Sequence, residues 1–240
     1  MGSFNDFQNI LPDPDNVIGD AGQATGTAGP GYASVKLSSE NQTIRSRTNS
    51  GRLISRASAY HTWKVNINYN PMTQADFNRI YSFLIHRRGS IDPFFVSLPQ
   101  YRTPQDSTFA SYAQSNNLGA AASFTAGSTN VLLEKTGYNH GTHKTPTPGD
   151  LFTISGANSN HKKAYMVTRV MADDYHSDNG APATNQVRIH FTPGLAKTIA
   201  NADGFVFHNP LIRVIAKDLQ EYQLGTNNLY QFGLSLEEVQ

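Results

Sequence analysis

His140 and His143, in the tetrapeptide HGTH, have the spacing of a two-histidine metal clamp. A closed zinc site takes more ligands than this pair supplies, and neither a cysteine nor a carboxylate stands close by in sequence, so a hydrated loop without metal is expected. Asp173, Asp174, His176 and Asp178 offer the carboxylate oxygens that suit calcium. Their spacing departs from the EF-hand loop and no glutamate closes it, which predicts a solvated hairpin tip. Serines, histidines and aspartates are present, but none lies in a GxSxG-type turn. Two acids distant in sequence could meet in a β fold to cleave glycosides, yet nothing selects a pair. GTAGPG has no following lysine, serine or helix to cradle phosphate. Trp63 and the tyrosines could stack on sugars or bases, whereas alternation sets Trp63 on a buried face. The expectation is a chain without catalytic residues, cofactor or metal.

The elements that would position any such residue are most legible in residues 61–99, HTWKVNINYNPMTQADFNRIYSFLIHRRGSIDPFFVSLP. Trp63, Val65, Ile67 and Tyr69 alternate with Thr62, Lys64, Asn66 and Asn68, the pattern of a strand with one buried face. Thr73 stands at an N-cap with Asp76 as a short capping-box partner. Phe77, Ile80, Tyr81, Leu84 and Ile85 repeat at three and four residues, predicting a helix over 73–88. Arg87 and Arg88 suit its C-terminal end and Gly89 its left-handed stop. Phe94, Phe95, Val96 and Leu98, between Pro93 and Pro99, predict a second strand.

Composition narrows the function classes. Charged residues make up 15% of the 240, against roughly 25% in an average soluble domain. Asn, Gln, Ser and Thr fill the balance, giving a weakly repelling surface suited to packing among other subunits. A net charge of +1 argues against binding nucleic acid by phosphate neutralisation. The absence of cysteine excludes disulfides, thiolate zinc sites and a thiol nucleophile. No apolar run approaches the roughly 20 residues that span a bilayer, and the N-terminus lacks signal-peptide character, so a soluble chain without membrane insertion is expected.

Residues 1–32 read as an extended arm, with Phe4, Phe7, Ile10 and Leu11 as anchors that could dock on a neighbouring subunit. From residue 33 short strands are predicted at 34–37, 42–47 and 52–55, ahead of the Trp63 strand. Asn49, Ser50 and Gly51 supply hairpin turn chemistry. Arg45, Arg47, Arg52 and Arg56 concentrate positive charge there, either as edge protection or as an interface for an acidic partner. Residues 101–209 carry short apolar runs at 131–133, 151–154, 165–170 and 187–191 between polar loops, which predicts an inserted, small all-β barrel. PGDLFTISG and AYMVTRV read as one of its hairpins. At the C-terminus, LIRVIAKD and LYQFGLSLEEV alternate again and are expected to complete the Trp63 sheet. The predicted domains are thus the arm (1–32), a β domain with a flanking helix (33–100 plus 210–240) and the inserted barrel (101–209).

The Arg-rich hairpin, the strand ending at a Tyr-Asn-Pro turn, the helix with its RIYSFL core, the Gly and the aromatic strand resemble, in that order, the tube-like domain of bacteriophage tail-tip proteins. These are the distal tail proteins and related baseplate adaptors. PGDLFTISG with AYMVTRV, VRIHFTPGLAKTIANADGFVF and the terminal FGLSLEEV are similar to that family's inserted barrel and ending. The resemblance covers most of residues 34–239 through loose patterns of texture and order, and residues 1–30 have no counterpart. It implies a mainly β, α+β fold: a tail-tube-like split β-barrel or sandwich with one flanking helix and an inserted barrel. It further implies a non-enzymatic virion protein, assembled in the host cytoplasm as a homo-oligomeric, commonly hexameric ring. Its partners would be the tail tube protein and the baseplate or tip hub, with DNA passing through a polar lumen. Interface residues are expected at Arg45, Arg47, Arg52 and Arg56 and at Phe4 and Phe7. The alternative is a carbohydrate-binding β module using aromatics between Tyr101 and Tyr138. A hydrolase with an unrecognised acid pair is the remaining reading.

Overall fold

Alternating apolar residues and tight turns make the chain mainly β. The structure, a computed structural model, describes residues 10–12, 31–156, 163–172, 182–217 and 221–239, with backbone alone at 42 and 57–60. Its strands are β1 (Tyr32–Arg47), β2 (Leu53–Tyr69), β3 (Phe94–Ser97), β4 (Leu118–Ala120), β5 (Asn130–Glu134), β6 (Leu151–Ser155), β7 (Ala164–Met171), β8 (Gln186–Thr192), β9 (Gly204–Val206), β10 (Leu211–Ala216), β11 (Gln223–Leu224), β12 (Tyr230–Gln231) and β13 (Gly233–Glu238). Its helices are α1 (Gln74–His86), α2 (Ser107–Ala113) and α3 (His140–His143). Two compact units result: one ends at Phe95 and resumes over Val214–Val239, the other is Val96–Arg213.

The first unit is built on a five-stranded sheet of order β1-β2-β13-β10-β3. Where three short strands and the long Trp63 strand are predicted over residues 34–69, two continuous ones form. The polar run that reads as a break stays paired, from Ser38↔Lys64 to Asn41↔His61, and a bulge between Asn41 and Thr43 absorbs the irregularity. The turn falls at Thr48–Arg52, where Thr48 N–H donates to Arg52 O (3.0 Å) and Gly51 takes a left-handed φ of 80°. Trp63, Val65, Ile67 and Tyr69 are buried, and Leu234 and Leu236 of β13 stand opposite Ile67 and Val65 on the same face. The closing LYQFGLSLEEV run forms β12 and β13 as separate strands, with Phe232 between them stacked on Tyr69.

Helix α1 buries Phe77, Ile80, Phe83 and Leu84. Phe83 meets Phe94 edge-on at 5.4 Å, and Phe77 stacks on Tyr230 at 4.5 Å. The capping box does not close: Thr73 is the N-cap, but its hydroxyl donates to Asp76 Oδ2 (2.8 Å) instead of accepting from the backbone. Ile85 is exposed, because it lies one residue round the helix from Leu84 and off the Phe77–Ile80–Leu84 stripe. Arg88 and Gly89 both take left-handed φ values and end the helix.

The second unit is a closed barrel of order β4-β5-β8-β7-β6-β9. Phe152, Tyr165, Phe191, Phe205 and Phe207 dominate its core, with Val131, Leu133, Val187 and Ile189 from the central strands. Tyr165 is wholly buried, and its hydroxyl accepts from Ala196 N–H at 2.9 Å. The segment predicted to be all-β also carries α2 and α3, because two polar residues cap them. Asp106 accepts from Phe109 N–H (2.8 Å), and Asn139 Oδ1 accepts from Gly141 and Thr142 N–H.

Candidate functional site

A free ribbon is the outstanding feature of the sheet unit. β13 pairs with β2 only over Lys64–Asn68, so beyond the Asn41–Thr43 bulge β1 and β2 have no other sheet neighbour among the described residues. From Thr43 to Thr48, where the turn begins, the ribbon reaches about 17 Å at ~3.3 Å per residue. At its base Ser39 Oγ lies 3.0 Å from His61 Nε2, the His61 ring meets Trp63 edge-on at 4.7 Å, and Trp63 N–H donates to the buried Glu238 carboxylate (3.2 Å). The root is therefore fixed in the core while the tip stands in solvent.

Cross-strand pairing assigns the arm's side chains to faces. Arg47 pairs with Leu53 and Arg45 with Ser55 on one face; Ile44 pairs with Arg56 and Ser46 with Ile54 on the other. Arg52 sits at the turn. Ile44, Leu53 and Ile54 are 70%, 56% and 52% exposed. Each face thus mixes guanidinium groups with bare aliphatics, unlike a solvated face. None of the four guanidinium groups makes an ion pair or hydrogen bond to another described residue, and Arg52 meets the Thr48 hydroxyl only through its backbone. Among the described residues β1 is also a sheet edge along its length, whereas the opposite edge, β3, is met by Ile10, with Leu11 N–H donating to Phe95 O at 2.8 Å. Ile10 and the buried Leu11, expected to dock on a neighbour, instead anchor on their own chain. Phe4 and Phe7 lie outside the described residues, as do Asp173, Asp174, His176 and Asp178.

The other candidates are spoken for. HGTH is a helical turn, not a hydrated loop: Asn139 caps it, Asn139 N–H donates to His143 Nδ1 (3.1 Å), and the His143 ring lies 4.5 Å from Tyr112. Among the described residues no three metal-ligating side chains gather. Tyr138 is buried beside them, donating to Lys144 O at 2.7 Å, and burial, followed by the Tyr112 hydroxyl, holds its pKa well above the ordinary tyrosine value. A cavity of about 340 Å³ opens beside Tyr101, Gln105, Asp150 and Phe207. Asp150 there is buried and already accepts from Gln105 N–H, Thr147 N–H and the Thr147 hydroxyl. Among the described residues no helix is long and apolar enough to cross a membrane.

No protein-family model matches the chain, and no curated protein does. One arrangement escapes sequence reasoning. On the barrel's outer wall, β8 points Arg188 and His190 outward between the buried Val187, Ile189 and Phe191. Register brings Arg169 of β7 and Asn130 of β5 opposite His190. The signal available was the outward alternation of Arg188 and His190 in VRIHF; Arg169 needs the register.

Proposed function

We propose that this chain is a non-enzymatic structural subunit of a bacteriophage tail. It forms a ring that connects the tail tube to the tip or baseplate and leaves a lumen for DNA, built in the host cytoplasm and resident in the virion. The observation that carries this reading is where bare apolar surface lies. Among the described residues every exposed large hydrophobic belongs to the sheet unit: Ile44, Leu53 and Ile54 on the arm, Ile85 and Ile91 at and beyond the end of α1, and Tyr222 and Leu224 by β11. An isolated two-stranded ribbon is marginally stable in water, and an open edge strand invites pairing.

Charge favours a second copy as the partner. The β1–β2 ribbon from Thr43 to Arg56 holds four of the chain's 19 basic residues and no acidic one, so the remaining 15 face 18 acids and the rest of the chain is net acidic. A basic arm meeting a different, acidic surface on the next copy is a heterologous contact, the kind that closes rings. Sedimentation velocity of the full chain across concentration and salt tests this: a closed oligomer that loosens with salt supports it, and a monomer throughout refutes it. The alternative, a carbohydrate-binding β module, has the cavity beside Tyr101 in its favour, and binding on a glycan array is its test.

A further inference from the structure

We propose that the outer wall of the barrel carries an oxyanion site, formed by Arg169, Arg188, His190 and Asn130, that takes a phosphate or sulfate group. His190 stands between Arg169 on β7 and Asn130 on β5, and directly paired side chains on one sheet face lie about 4.5–5.5 Å apart at Cβ. Arg188, two residues along on the same face, turns toward that row: its Nη1 donates to Asn130 Oδ1 at 3.3 Å. That bond occupies the acceptor of Asn130 and leaves its amide N–H groups. Among the described residues the wall is therefore rich in donors and poor in acceptors. The carboxylate on these rows is Glu134, one row beyond Arg188, and it already accepts from Gln186 Nε2 at 2.9 Å.

Two nitrogens in this cluster, Arg188 Nε and His190 Nε2, are shielded from water and have no hydrogen-bond partner among the described residues. Buried polar atoms are normally satisfied, and Arg188 Nε can only donate, so its lack of a partner leaves a donor without an acceptor, while the role of His190 Nε2 follows the ring tautomer. Burial first, and then the charges of Arg169 and Arg188, hold the His190 pKa below its ordinary value, in keeping with two guanidinium groups beside the ring. A carboxylate has two oxygens for these donors. A tetrahedral oxyanion has four, and fits two guanidinium forks, an imidazole and an amide better. The site belongs to the barrel and stands whether or not the sheet unit assembles.

Sulfate, which does not titrate near neutrality, is the probe. Imidazole nitrogen and proton resonances of the full chain are followed by NMR, with His190→Gln assigning the signal. The expected result is a saturable shift of His190, a rise in its pKa with sulfate, and binding that tightens severalfold as pH falls from 7.5 to 5.5 at about one proton taken up per anion. Arg169→Gln, at an exposed position, weakens binding about tenfold, while Lys197→Gln, elsewhere on the barrel, leaves it unchanged. Dimethyl phosphate in parallel distinguishes a diester-bearing polymer from a free oxyanion; saturation by either supports the site. No saturable His190 shift with either probe, or equal weakening by Lys197→Gln, overturns it.

Discussion

Replacing Ile44, Leu53 and Ile54 together with threonine separates an interface from a core. Threonine keeps the strand propensity of the positions while removing apolar surface. The three side chains are 70%, 56% and 52% exposed, so folding alone already covers a third to a half of each. Fully burying such a side chain stabilises by roughly 1.5–3 kcal/mol, so covering the remainder in an assembly contributes about 1 kcal/mol each after the part threonine retains. Three substitutions then cost about 3 kcal/mol per contact, a weakening of association by about a hundredfold. Within the protomer the same exposed changes cost little, of order 0.5 kcal/mol or less each. Sedimentation velocity reads the first quantity and urea denaturation of the monomer the second. Unchanged assembly, or a protomer destabilised as severely as by a core truncation, would refute the reasoning.

Phe77→Ala removes the ring that stacks on Tyr230 and Tyr81 and is expected to destabilise the sheet unit by about 3–5 kcal/mol in a denaturant titration. Asp106→Ala removes the cap on Phe109 N–H and is expected to cost about 1 kcal/mol by the same measurement, with Asp106→Asn largely restoring it. The raised pKa of Tyr138 favours its neutral form in the folded state, so its contribution is complete below the ordinary tyrosine value and declines as pH rises beyond it. Tyr138→Phe should flatten that alkaline loss in melts above about pH 10, while losing the bond to Lys144 O at neutral pH.

Legibility in the sequence follows burial on one face. The Trp63 strand, α1, β10 and β13 show clean periodicity because one side packs on a core and the other meets water. β1 and the outer half of β2 carry no such signal. Ile44 and Ile54 share a face with Arg56, and Leu53 shares one with Arg47, so the pattern reads as short fragments, not as one ribbon. The four arginines are visible as a charge cluster, but their division between two faces appears only from register. HGTH reads as a metal pair until the Asn139 cap is seen, since local side-chain capping competes with any ligand role. The cluster at His190 is invisible for a related reason: Arg169 and Asn130 come from strands far away in sequence and meet it only across the barrel wall.

Electron microscopy of the negatively stained full chain tests the central claim most directly. Class averages with rotational symmetry about a central hole are the predicted result. Compact single particles at every concentration, with no ring, would contradict it.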